Sequence, residues 1–187
     1  DWSSDVCSSD LVNVDENRLG TAQALREFVP HVIVTHPQCP HDNLALFEQL
    51  RAAFSTEPGV NERAAQLSDE FQAALHRCRA HPKPAQRVLY LIWREPWMTV
   101  ARDTYISTLL AEAGWQTWPD VHGGPHGAAR YPTLQGDEPG LHDVQRVLLS
   151  SEPYRFNASH IAEAQALCPQ ARVQLVDGER LSWWGAR

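Results

Sequence analysis

The chain has 187 residues, 43% hydrophobic and 21% charged, which supplies material for a real core and excludes a disordered tail. A net charge of −7, with Lys83 as the only lysine, excludes the basic footprint expected of a nucleic-acid partner. No apolar run approaches the roughly 20 residues needed to span a bilayer, and Cys7, Cys39, Cys78 and Cys168 lie far apart without CxxC spacing, which argues against zinc and leaves any disulfide open.

Residues 1–11, DWSSDVCSSDL, read like the in-frame translation of a sequencing-library adapter and are set outside the fold. No signal peptide is visible at residue 1; on the adapter reading the native start, with any export signal, lies beyond this sequence. From Val12 a short strand-like start leads into a helix with Ala22, Leu25 and Phe28 facing inward, stopped by Pro30. His31 to Thr35 is a β-branched run of parallel-strand type. Asp42 or Asn43 can cap the next helix, whose Leu44, Phe47, Leu50 and Phe54 follow the spacing of one buried face. Residues 61–80 lack Pro and Gly and carry an apolar stripe from Ala64 to Cys78, which predicts one helix of about six turns.

The most informative stretch is Arg87 to Gly114. Val88 to Trp93 is a continuous apolar run, as expected of a central parallel strand covered on both faces. Asp103 or Thr104 stands at an N-cap position, Tyr105, Ile106, Leu109, Leu110 and Ala113 recur at helical spacing, and Gly114 marks the stop. The loop between strand and helix leaves the carboxyl end of a strand, where open α/β sheets bind ligands. Residues 115–130, rich in Gly, His and Pro, read as an irregular, mobile surface loop. Val147 to Leu149 is the next strand, Ser159 can cap a helix reaching Leu167, and Val173 to Val176 is a further strand before the turn at Asp177 and Gly178.

Aromatic residues recur where these strands run out: Trp93 and Trp97, then Tyr131 after the long loop, Tyr154 and Phe156, and finally Trp183 and Trp184. Parallel strands end on one edge, so these rings can form a wall for a large planar ligand or pack ordinary loops together. Arg94 and Arg102 suit hydrogen bonding to acidic or amide groups of a ligand. His122 and His126 in HGGPH lack a third ligand at diagnostic spacing, and His36, Cys39 and His41 match no known metal arrangement. Glu95 and Asp103 have no identifiable catalytic partner, and the nucleophile elbow, P-loop and dinucleotide fingerprint are all missing from the sequence.

VLYLIWREPWMTVARDTYISTLLAEAGW, RYPTL, VLLSSEPYRF and LVDGERLSWWGAR together resemble the carboxyl-terminal lobe of the cobalamin and siderophore-type substrate-binding proteins of ABC importers, the helical-backbone metal receptor superfamily. VNVDENR, ALREFVPHVIVTHP and the 61–80 helix are similar to the latter part of that family's first lobe and its interlobe helix. The resemblance implies an α/β fold of two small Rossmann-like lobes with parallel sheets, the first incomplete. Residues 12–59 would be a partial first lobe, 60–82 the interlobe helix and 87–187 the second lobe, with the chain cut short at both ends. It implies a monomeric, extracytoplasmic protein without catalytic or metal-ligating residues of its own, binding cobalamin or a ferric siderophore in an aromatic cleft between the lobes and delivering it to an ABC permease. By position, Trp93, Trp97, Arg102, Tyr131, Tyr154 and Trp183 correspond to ligand contacts, and Asp137 or Glu138 to the carboxylate that docks on the transporter. The alternatives are an α/β hydrolase or metal-dependent enzyme using His122, His126 or Glu95, and a corrinoid-binding module that is not exported.

Overall fold

The computed structural model describes residues 9–14, 17–81, 83–125 and 127–183. It divides into two compact units, one ending at Pro37 and the other starting at Gln38.

The first unit is a β-α-β arrangement: β1 (Ser9–Asn13), α1 (Leu19–Leu25) and β2 (His31–Thr35), with the two strands parallel and Val12 opposite Val34. The β-branched run of β2 supplies the partner, and the buried polar groups satisfy one another: Asn13 Nδ2 donates to the Thr35 carbonyl at 3.0 Å and Thr35 Oγ1 to the Val12 carbonyl at 3.1 Å. Ser9, Asp10 and Leu11, set outside the fold on their adapter-like sequence, pair with His31, Val32 and Ile33. Backbone pairing tolerates almost any side chain at a strand's start. Ala22 is buried as expected, but Phe28 points outward and Val29 takes the inner position, because α1 ends at Leu25 and its spacing no longer applies.

The second unit opens with α2 (Asp42–Ala53) and the 21-residue α3 (Val60–Ala80). α2 packs against α3, and both lie in the unit that starts at Gln38. The buried face of α2 is Asn43, Leu46 and Phe47: of the expected stripe Phe47 is buried, while Asn43, whose Nδ2 donates to the Tyr105 hydroxyl at 2.8 Å, and Leu46 take the places of Leu44, Leu50 and Phe54. Leu50 and Phe54 instead line a largely apolar cavity of about 490 Å³ between α2 and α3.

A four-stranded parallel sheet forms the centre of this unit, from β3 (Gln86–Leu91), β5 (Trp115–Thr117), β7 (Arg146–Ser150) and β8 (Arg172–Val176) in the order β5-β3-β7-β8. Its companions are the short antiparallel pair β4 (Trp97–Met98) and β6 (Thr133–Leu134), and the helices α4 (Tyr105–Glu112), α5 (Ile161–Leu167) and α6 (Gly178–Ser182). The central position of β3 explains its unbroken apolar run, because side chains alternate between two buried faces. Leu89 and Leu91 join Val147, Leu149, Trp118 and Phe156 on one face, while Val88 and Tyr90 join Leu148, Val100, Ile106 and Leu110 on the other. Burying each aliphatic side chain contributes about 1.5–3 kcal/mol.

Three local expectations change. Trp115 to Trp118 belongs to the sheet and core rather than to an irregular loop: Trp118 is buried, and its N–H donates to the Val88 carbonyl at 2.8 Å. Asn157, not Ser159, caps the turn before α5, accepting from Ser159 N at 2.9 Å. Asp177 caps α6, accepting from Glu179 N at 3.0 Å, where the sequence suggests only a turn. Among the described residues no helix is long and apolar enough to cross a membrane.

Candidate functional site

The carboxyl ends of β3 and β7 carry two loops that are tied together. After β3 the chain folds back so that Ile92 N donates to the Met98 carbonyl and Met98 N to the Trp93 carbonyl, at 3.0 and 3.1 Å. Tyr154 N, in the loop after β7, donates to the Ile92 carbonyl at 3.2 Å. The aromatic residues of both loops therefore meet. Trp93 stands edge-on to Tyr154 at 5.6 Å, Tyr154 tilts against Phe156 at 4.7 Å, and Phe156 stacks on Trp97 at 6.1 Å with the rings within 6° of parallel. His160 closes the cluster, edge-on to Tyr154 and Phe156 at 5.5 Å from each. Each such pair contributes about 0.5–1.5 kcal/mol beyond the area it buries.

Within this ladder the rings divide the work. Phe156 is buried, and Trp97 packs half-buried against the core, so both support the wall. Trp93 is 41% exposed and offers a free ring surface. Arg94 braces the outside, donating to Glu163 of α5 at 2.7 Å and pairing with Glu95 at 3.1 Å. These contacts leave Arg94 as a structural clamp rather than an open ligand donor.

The neighbouring ends of β7 and β8 are locked by hydroxyls. Buried Tyr90 donates to Ser150 Oγ at 3.0 Å and lies 3.4 Å from Ser182 Oγ, and burial raises its phenol pKa. Gly178 is required beside them, because a Cβ there would lie 2.5 Å from Ser150 Oγ and 2.8 Å from Glu152 N. Trp183 is 42% exposed and donates its indole N–H to Glu152 Oε2 at 2.7 Å, which holds it beside the loop after β7.

The remaining predicted contacts lie elsewhere. Tyr131 packs against the α4 side of the sheet with Met98 and does not join the ring ladder. Arg102 lines a separate cavity of about 190 Å³ with Trp115, Asp120 and His122, its Nε 3.4 Å from Asp120 Oδ1. None of the six predicted ligand contacts lines the larger α2–α3 cavity.

The segment after β5 differs most from expectation, since a buried arginine organises what reads as a mobile loop. Arg130 is 1% exposed; its Nη1 donates to the Pro125 carbonyl at 2.9 Å and Nη2 to the Asp103 carbonyl at 3.1 Å. The Asp103 carboxylate accepts from Gly123 N and Gly124 N at 2.9 and 2.7 Å, while Thr104 is the helix cap, accepting from Ser107 N. Burial would raise the Asp103 pKa, but the two backbone N–H groups and nearby Arg130 outweigh it and hold the carboxyl below its ordinary value. The Arg-Tyr-Pro after a Gly-rich run was the available sequence signal, but it does not say that the arginine turns inward.

Glu138 folds onto its own turn, accepting from Gln135 N at 2.5 Å and Gly136 N at 2.9 Å, whereas Asp137 is exposed. His122 is exposed, and among the described residues no group of three His, Cys, Asp or Glu is placed to hold a metal; His126 and Trp184 lie outside those residues. Asp42 explains the Cys39 and His41 cluster by accepting from Gln38 N and Cys39 N at 2.8 and 3.0 Å, which fixes a helix entry. Cys39, Cys78 and Cys168 are free thiols, and burial pushes the Cys168 pKa up to about 11.

The chain has the fold of solved periplasmic binding proteins for vitamin B12 and heme. It is similar to the periplasmic vitamin B12 binding protein BtuF of Vibrio cholerae, with 18% identity and a TM-score of 0.68, over 94% of this chain and 67% of that one. The periplasmic heme binding protein HutB of Vibrio cholerae matches at 16% identity and a TM-score of 0.73, over 95% and 71% of the two chains. RhuT, a periplasmic heme-binding protein from Roseiflexus sp. RS-1, matches at 18% identity and 0.66, over 94% and 68%. No family model and no curated protein matches the chain. These structural neighbours are solute-binding proteins, not enzymes, so the hydrolase and metal-enzyme alternatives find no support among them.

Proposed function

We propose that this chain is the solute-binding component of an ABC importer, presenting its aromatic face to cobalamin or a related metal chelate such as haem or a ferric siderophore. The carrying observation is the ladder Trp93-Tyr154-Phe156-Trp97 at the carboxyl edge of a parallel sheet, with one broad indole left uncovered. Flat macrocycles and aromatic chelates gain most from such a surface, since ring faces and edges contact them over a large apolar area. The names of the structural neighbours, for vitamin B12 and heme, support the same ligand class. Trp183, beside Glu152, extends the face, while Tyr131 and Arg102 are secondary contacts. The protein works outside the cytoplasmic membrane as a monomer and passes its ligand to a permease. Asp137 is the docking carboxylate, because Glu138 already spends both its oxygens on backbone N–H groups.

The test is equilibrium titration of the chain with cyanocobalamin and with haemin, followed by tryptophan quenching. Trp93→Ala is expected to weaken the preferred ligand about tenfold or more, which corresponds to about 1.4 kcal/mol. Trp97→Ala weakens it indirectly, through Phe156. Unchanged affinity in Trp93→Ala would remove this face from the reading.

A further inference from the structure

The ring that closes the aromatic cluster is a histidine, and its hydrogen bonds fix where its proton sits. Asn157 N donates to His160 Nδ1 at 3.1 Å. A backbone N–H can only donate, so Nδ1 carries no hydrogen and Nε2 of the neutral ring must carry it. Nε2 lies 3.2 Å from the Tyr154 hydroxyl and therefore donates to it. The same imidazole thus completes the cap of the turn Ala158–His160, as the partner that Asn157 N needs, and holds Tyr154 by its hydroxyl. Its ring edges also restrain Tyr154 and Phe156, the two residues that link Trp93 to Trp97.

A second proton is incompatible with this arrangement, because it must be added at Nδ1 and would face the Asn157 N–H donor to donor. The charged groups on the surrounding elements are Arg94 of the β3 loop, Glu95 and Glu163 paired with it, and Arg155 of the same loop as His160. Both carboxylates of that set are engaged by Arg94, so no free carboxylate among them compensates an imidazolium. We propose that His160 is the positioning residue of the aromatic wall, holding the Tyr154–Phe156 pair only while its ring is neutral. Acid then releases the pair and flattens the wall. With the proposed macrocycle reading, on which this consequence rests, the face loses ligand as pH falls.

The experiment compares the native chain with His160→Gln, whose amide oxygen can accept from Asn157 N without titrating, and His160→Leu, which cannot accept at all. The ligand-free readouts are the ¹⁵N shifts of the His160 ring and the protection factor of the Asn157 amide, from about pH 8 to about pH 5. Expected are an unprotonated Nδ1 at high pH, and an Asn157 protection that falls with acid in the native chain, persists in His160→Gln and is low throughout in His160→Leu. Cyanocobalamin and haemin titrations in parallel should show affinity dropping about tenfold across that range in the native chain only. A hydrogen found on Nδ1 in the neutral ring, or the same pH profile in His160→Gln, overturns the inference. If the ligand-free profile behaves as expected but neither ligand binds at any pH, the positioning role stands and the macrocycle reading falls.

Discussion

Two loop systems at the carboxyl edge of one sheet are held by opposite kinds of chemistry. Those after β3 and β7 meet through rings, in contacts that are individually modest, so one indole can remain partly uncovered at the end of the row. The segment after β5 is held by a buried guanidinium and a carboxylate gripping backbone groups, where each missing partner leaves a buried polar atom unsatisfied. A ring-built loop can spare surface for a ligand; a charge-built loop serves as a rigid flank.

Breaking the polar system should therefore have the largest effect. Arg130→Met is expected to lower unfolding free energy by about 4 kcal/mol in urea denaturation, since it strands the Pro125 and Asp103 carbonyls. A loss below about 1 kcal/mol would mean that packing, not the guanidinium, holds this segment. On the aromatic side, Trp97→Ala should cost about 3 kcal/mol, because Phe156 and the core lose a filled position. Trp93→Ala, with its ring 41% exposed, should cost under about 1 kcal/mol. A reversed order would break the division between supporting and presenting rings.

Asp103→Asn should be milder than Arg130→Met, at about 1–2 kcal/mol near neutral pH. Its pH signature is more telling. The native carboxyl titrates below its unfolded value, so its contribution is complete above that value and disappears as pH falls through the lower, folded one. Native stability should decline below about pH 4, and the Asn variant should show a shallower decline in thermal melts. The smallest effects concern the carboxylate pair beyond β6. Glu138→Ala should cost about 1 kcal/mol by freeing Gln135 N and Gly136 N, while Asp137→Ala should change stability by less than about 0.5 kcal/mol yet slow permease-coupled uptake. Normal uptake in Asp137→Ala would move the docking surface elsewhere.

Much of the second unit was legible from residue order. The run Val88–Trp93 announced a doubly covered strand, which ends at Leu91 and leaves Trp93 exposed, and Asp103 or Thr104 with Gly114 bracketed α4, because apolar continuity and capping are local signals. The ring ladder was half legible: recurrence at strand ends put Trp93, Trp97, Tyr131, Tyr154, Phe156, Trp183 and Trp184 on one edge, but did not say that Tyr131 packs apart from the ladder, nor which ring supports and which presents. Residue order does not mark His160, because its contact depends on one lone pair meeting the Asn157 N–H. Nor does it mark Arg130, a surface-type residue that turns inward because its own loop and the loop before α4 both present carbonyls to it.

The sequence by itself determined the parallel α/β class, the positions of the central strands and the edge on which the aromatic residues gather, since periodicity and chain direction impose these one element at a time. Only the tertiary structure decided that Trp97 is buttress and Trp93 is surface, that Glu138 is spent while Asp137 is free, and that Arg130 ties Pro125 and Asp103 into a flank. Each of those outcomes depends on which backbone groups and ring faces from distant segments arrive at the same place, and spacing along a single segment carries no record of that meeting.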